Sequence, residues 1–321
     1  MFNIVEKRRW YFIGSSIAIL LGIAAMVFSQ LVFGAPVRMG IDFTGGSLFV
    51  LHFEAPADEL AIRQVFADQG LEETIVQRLG AAEQHAWQVR TRDAAPEQVQ
   101  GILTNLDAQV APINRDLLTY ETVSPIIGGE VTRAAGLAIA VASFIILAFI
   151  WWSFRRVPHA FRYGAAAIVA MLHDILIAFG FYALMGALRG WEVDALFLTA
   201  ILTVSGFSVQ DTIVVFDRIR ENLPRYRGEP FERVINRSIL ETMHRSLATQ
   251  LNAIFVMIAI ILFGGETIQP FIATMLVGMI SGTYSSIFIA VPLVVVWELS
   301  LIHISEPTRL LSISYAVFCL K

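Results

Sequence analysis

Read for polarity alone, the chain is a set of long apolar runs interrupted by one polar stretch. Runs close to the ~20 residues that carry a helix across a bilayer occur at about Tyr11–Phe33, Ala134–Phe154, Tyr163–Leu188, Val193–Phe216, Leu247–Phe263 and Phe271–Trp297. From about residue 35 to 131 the composition is that of a soluble domain and the period changes. Ser47–Phe53, Thr74–Leu79, Ala86–Thr91 and Leu117–Val123 read as strands. Asp58–Asp68, with Leu60, Ile62, Val65 and Phe66 apolar, and Glu97–Val110, with Val99, Ile102, Leu103 and Leu106, read as amphipathic helices. The order β-α-β-β-α-β is the split-βαβ, ferredoxin-like pattern. The prediction is a polytopic α-helical membrane protein with six transmembrane helices and a ferredoxin-like α+β extracytoplasmic domain. The expected division is 1–33 for the N-terminus and first transmembrane helix, 34–132 for the outer domain and 133–298 for transmembrane helices two to six.

Composition agrees with the pattern. Hydrophobic residues make up 56% of the chain, a share that excludes an ordinary soluble domain. A net charge of −4 gives no reason to expect a nucleic-acid partner. The single cysteine, Cys319, rules out an internal disulfide and a cysteine-based metal site, and neither a metal nor another cofactor is expected. No small-residue cleavage site follows the first apolar run, so it reads as a retained anchor. Basic residues orient the spans. Lys7, Arg8 and Arg9 precede the first; Arg155, Arg156 and Arg162 flank the turn between the second and third. Arg218, Arg220, Arg225, Arg227, Arg233 and Arg237 fill the fourth connection, whereas the remaining turns hold only Arg189 or no basic residue. This asymmetry puts both termini inside and the acidic domain outside. Within the Arg-rich connection, Phe231–Leu247 has helical spacing and reads as an amphipathic helix on the membrane surface, feeding span five. Residues 299–321 have no clear period and resemble translated sequencing-adapter sequence, so they are set aside as a non-native tail.

Chemistry concentrates in span four. Asp211 stands among apolar residues several positions before the charged edge Asp217–Asn222. A mid-span charge costs roughly 2.5–3.5 kcal/mol on insertion scales, so such a carboxylate faces protein or water and marks function by default. The competing reading is a structural Asp capping a break near Gly206. Arg245 and Thr249 sit one turn apart at the start of span five. Spans four and five run in opposite directions, so Asp211 and Arg245 both fall in the cytoplasmic half. A neighbouring Arg favours the ionised carboxylate and desolvation opposes it; the plainer reading of Arg245 is a snorkelling interfacial side chain. His173 and Asp174, halfway across span three, read as a polar contact supporting span four. Gly278 and Gly282 suit close helix packing. The outer domain holds His52 and His85 singly and no catalytic cluster, as a binding module would. An intramembrane serine protease pairing Ser205 or Ser208 with His173 is the enzymatic rival. It lacks a Gly-x-Ser-Gly run and leaves Asp211 unexplained, so no catalytic residues are expected.

Five stretches in order resemble the SecD/SecF family of protein-export membrane subunits, within the resistance-nodulation-division superfamily. They are Gly40-Ile41-Asp42-Phe43-Thr44-Gly45-Gly46, Glu121-Thr122-Val123-Ser124-Pro125, His173-Asp174, Gly206-Phe207-Ser208 through Asp211-Thr212 to Asp217–Asn222, and Gly282-Thr283-Tyr284-Ser285-Ser286-Ile287-Phe288. The family pattern has Asn where Gln210 stands. The resemblance implies an accessory subunit of the Sec translocase in the bacterial cytoplasmic membrane, using the proton motive force in late preprotein translocation. It implies Asp211 as the proton-relay carboxylate with Arg245 and Thr249 beside it, and His173, Asp174, Ser208 and Gln210 as supporting polar groups. H⁺ is the expected coupling ion, although a carboxylate serves Na⁺ as well. The implied partners are a SecD-like subunit supplying the other half of a twelve-span unit, the SecYEG channel, unfolded preprotein at the outer domain, and membrane lipid. A small-molecule or lipid exporter of the same superfamily is the alternative.

Overall fold

The computed structural model describes residues 3–71, 74–79, 84–92, 94–155, 160–265 and 268–305. Arg156 and residues 306–321 lie outside them. The chain forms two compact units, one of which comprises Val37–Ala138 and Gly186–Ala195.

That unit is built in the order α2 (Ile41–Thr44), β1 (Gly46–His52), α3 (Glu59–Asp68), β2 (Ile75–Leu79), β3 (Ala86–Thr91), α4 (Pro96–Gln109) and β4 (Thr119–Val123), after the helix α1 (Arg8–Phe33) of the other unit. The sheet is antiparallel with strand order β2-β3-β1-β4, the ferredoxin-like arrangement predicted from the strand and helix periods. Alternate residues of β1 and β3, among them Phe49, Leu51, Trp87 and Val89, face the buried stripes of the two helices: Ile62, Val65 and Phe66 on α3, and Ile102 and Leu106 on α4. Leu60, read as part of the α3 apolar face, is instead 72% exposed; at two positions before Ile62 it lies on the opposite side of the helix. The glycine pair before β1 is a tight corner. Gly45 and Gly46 both have positive φ, and a Cβ on Gly46 would meet the Thr91 carbonyl oxygen at 2.6 Å, so side chains are excluded twice over.

The segment from Gly186 to Ala195 is laced onto this domain. Val193 N–H donates to the Arg38 carbonyl at 2.7 Å, Gly40 N–H to the Val193 carbonyl at 2.6 Å, and Ala195 N–H to the Asp42 carboxylate at 2.8 Å. Beneath the lacing, Arg90 on β3 forms an ion pair with Glu192, both largely buried, while its Nη1 donates to the Met39 carbonyl at 2.7 Å. Burial, with the Arg38 charge beside it, pushes the Arg90 guanidinium down to about 10. The cation is therefore costly here, and Glu192 offsets that cost.

The second unit is the helical bundle: α1, most of α5 (Pro125–Ser153), α6 (Ala160–Arg189), α7 (Ala195–Arg225), α8 (Phe231–Phe263), α9 (Gln269–Ser285), a π-helical turn (Ser286–Ala290) and α10 (Val291–Ser305). Among the described residues six helical stretches are long and apolar enough to span a membrane, as the hydropathy pattern predicted. Helices α1 and α5 bury little of their apolar surface, whereas α7 and the α9–α10 span bury half or more. The expected surface helix over Phe231–Leu247 does not stand apart. It is the first half of a continuous 33-residue α8. Its apolar positions Ile235 and Ile239 pack with Phe216 and Ile219 of α7 rather than turning toward lipid. Polar contacts hold that hairpin: Asn222 Nδ2 donates to Ser238 at 3.0 Å and to Glu241 at 2.9 Å, and Arg218 pairs with Glu241 at 2.6 Å.

Removing one partner of a buried pair strands the other's charge, at a cost of about 3–5 kcal/mol. Glu192→Ala is therefore expected to destabilise the outer domain by about 3 kcal/mol, read as accelerated hydrogen exchange across β3 in the whole protein. The double variant Arg90→Met/Glu192→Leu should recover most of the loss.

Candidate functional site

The buried stripe of α7 runs through Val204, Ser205, Ser208, Asp211, Thr212 and Val215. Its spacing of three and four residues puts all of them on the inner side. The stripe carries two polar centres, one turn apart.

The first is Asp211. It is 7% exposed, and its Oδ2 accepts a 2.7 Å hydrogen bond from Nε2 of Gln250 on α8. Gln250 is itself buried and continues a polar stripe one turn apart, Thr242, Ser246 and Gln250. The other amide atom, Oε1, is buried without a partner among the described residues. Arg245 and Thr249 are on the same helix but on an exposed stripe. Thr249 Oγ1 donates back to the Arg245 carbonyl at 3.0 Å. The side chain set against the carboxylate is thus Gln250, which the sequence reading did not single out. A polar residue one position past Thr249, four after Ser246, was the available signal.

The second centre is Asp174 on α6, with no exposed surface. Ser208 of α7 and Ser285 of α9 donate to its Oδ2 at 2.6 and 2.7 Å; Ser281 of α9 donates to Oδ1 at 2.6 Å, and Nδ1 of His173 lies 3.0 Å from that oxygen. Three helices are joined through one carboxylate. The approach of α9 depends on small residues: a Cβ on Gly278 would lie 2.5 Å from Val204, and one on Gly282 3.1 Å from Ser208. Just past Ser285 the helix widens into the π turn, a feature common at functional sites. Ser281 was also missed from sequence; its i,i+4 spacing to Ser285 on one face was the sign.

Gln210 is exposed, on the opposite side of α7 from the stripe. The serines of the protease reading are engaged elsewhere. Ser205 Oγ donates to the Ile201 carbonyl at 2.7 Å, and Ser208 to Asp174. Among the described residues no group of His, Cys, Asp and Glu could hold a metal ion.

Asp174→Ala removes the acceptor of three buried hydroxyls. Each buried polar group left unsatisfied costs about 1–3 kcal/mol, and Ser285 has an alternative acceptor in the Gly282 carbonyl at 3.2 Å. A loss of about 3 kcal/mol in bundle stability is expected, measured by denaturation in mild detergent. Asp174→Asn, which keeps one acceptor oxygen, should lose about half as much.

Residues 103–300 match the family model described as protein export membrane protein SecD/SecF, C-terminal, and residues 31–57 match the SecD/SecF GG motif. The chain is 42% identical to protein translocase subunit SecF of Thermobaculum terrenum over 92% of its length and 94% of that protein. It is 42% identical to SecF of Anaerolinea thermophila over 93% and 94%. Among solved structures, SecDF from Thermus thermophilus, described as a translocon-associated membrane protein, superposes with a TM-score of 0.76 at 30% identity, covering 92% of this chain and 38% of that one. The chain belongs to the SecD/SecF family of protein-export membrane proteins.

Proposed function

We propose that this member of the SecD/SecF family is an accessory subunit of the Sec protein translocase in which Asp211 couples proton movement to preprotein export. The kinship to SecF proteins over nearly their full length supports the translocase role and disfavours a small-molecule or lipid exporter. The observation that carries the coupling is the burial of Asp211 within a span, held by one neutral amide. A carboxylate so placed is sensitive to its own charge, and a proton crossing the membrane releases about 2.3 kcal/mol per 100 mV. Charge on Asp211 would bias the bundle between two conformations. Arg245 and Thr249, five positions and one position before Gln250 on α8, are proposed to reach the site in another state of that cycle, and His173, Asp174 and Ser208 to hold α6, α7 and α9 in register around it. The reaction is ion-coupled movement, with H⁺ or Na⁺ as the ion and no cofactor.

The chain spans 38% of the SecDF protein it superposes on, and the polar side chains of Gln210, Arg245 and Thr249 are exposed on membrane-spanning helices. Polar groups facing hydrocarbon are costly. Both facts support a SecD-like subunit as the cover for these side chains. SecYEG and unfolded preprotein, the latter at the outer domain, complete the proposed partners. The basic loops support cytoplasmic termini in a bacterial inner membrane.

Asp211→Asn keeps the shape and one acceptor but cannot titrate. The variant is expected to assemble normally and to lose gradient-stimulated secretion, more than tenfold in rate, in cells at matched expression. Full gradient-dependent secretion would end the coupling proposal. Orientation is tested separately: in a Cys319→Ser background, Glu97→Cys should label from outside and Arg227→Cys from inside.

A further inference from the structure

We propose that Gln250 is the positioning residue of Asp211: its amide turns over when the carboxylate gains or loses a proton, so that α8 reads the charge state of α7. This inference rests on the reading of Asp211 as a titrating group, not on its coupling to secretion.

A glutamine side chain has one end that donates and one that accepts. An ionised carboxylate only accepts, so only the NH₂ end can meet it, and that is the end found at 2.7 Å from Oδ2. The accepting end, Oε1, is buried with no partner among the described residues. Once Asp211 takes a proton, its carboxyl gains an O–H donor beside an oxygen that still accepts. A half-turn about the terminal torsion, which is broad and two-fold, brings Oε1 onto the new O–H and moves the NH₂ end to the position Oε1 held. The two amide ends are nearly equal in size, so the turn needs little room. The stripe Thr242–Ser246–Gln250 sits on the buried side of α8, so a change at the amide is delivered to the helix itself.

Other titratable groups on the surrounding elements are exposed or engaged elsewhere, among them Arg218 of α7 with Glu241 of α8 at 2.6 Å. On α7, Asp217 pairs with Arg220 at 2.7 Å. On α8, His244 and Arg245 are exposed. On α6, Asp174 is engaged by three serines and His173. On α9, Tyr284 donates to the Tyr11 carbonyl at 2.8 Å. Gln250 is the side chain hydrogen-bonded to Asp211 in this structure.

The test is infrared difference spectroscopy between high and low pH on the complex with its SecD-like partner in lipid nanodiscs, with glutamine side chains carrying ¹³C. Protonation of Asp211, assigned by its loss in Asp211→Asn, should move one glutamine carbonyl band, assigned by its loss in Gln250→Met. In Gln250→Met the Asp211 midpoint should shift, because its donor is gone. Gln250→Asn, which keeps the amide but falls a methylene short, should show the same shift and serves if the Met variant does not assemble. An Asp211 band that titrates with no glutamine band moving, a midpoint unchanged in both variants, or an Asp211 that does not titrate would each overturn the proposal. Normal secretion by Asp211→Asn, with the paired bands still moving in the parent protein, would end the coupling proposal and leave this one standing.

Discussion

An ionised carboxylate inside an apolar bundle must recover the hydration it has lost, and only donors from other helices can supply the replacement. The desolvation penalty is several kcal/mol per ion even after relaxation. That constraint organises the membrane unit. Asp174 recovers its solvation from α7, α9 and the adjoining histidine; Asp211 does so from α8. Helices in lipid gain little from apolar contact, since the surrounding tails are as apolar as their own side chains. The two carboxylates therefore set register as well as chemistry. Gly278 and Gly282 follow from the same demand, because α9 must come close enough for Ser281 and Ser285 to reach Asp174. The two centres differ in how fully they are satisfied. Asp174 is surrounded by donors, with three hydroxyls from α7 and α9 on its two oxygens. Among the described residues Asp211 has a single neutral donor, whose other end is unmatched. A site expected to gain and lose a proton is better served by the second arrangement.

The outer unit answers to water instead. Its core is an ordinary sheet-on-helix layer around Phe49, Phe66 and Leu106. A costly polar group there is Arg90, paired with Glu192 of the segment between α6 and α7. The backbone lacing over Arg38–Asp42 fixes that segment against the domain. The glycine corner at Gly45 and Gly46 lets the chain pass under Thr91 into β1.

Periodicity made the fold legible. The strands and helices of the outer domain and the six apolar runs follow from alternation and length, because burial on one face or all round leaves a direct mark on residue order. Helix ends were less legible. Helix α5 begins at Pro125, well before its apolar run does, because its early turns are polar enough to break the hydropathy signal; the start of α8 at Phe231 follows from helical spacing, but its continuity with span five does not. At the site, Asp211, Asp174, His173 and Ser208 stood out because charge or motif set them apart. Gln250 and Ser281 did not. A neutral polar residue in a span is common, and only the packing of α8 and α9 reveals which ones meet a carboxylate. Arg245 drew attention through its charge, yet in this structure it lies on the exposed stripe of α8.

The most direct measurement of the central claim is proton flux itself. The complex of this chain with its SecD-like partner would be reconstituted in liposomes holding a pH-sensitive dye, and a gradient imposed in the presence of an exported polypeptide. The account predicts acidification of the lumen that depends on the polypeptide and vanishes in Asp211→Asn, while Gln210→Ala retains it. Equal flux through the parent complex and the Asp211→Asn complex would contradict it.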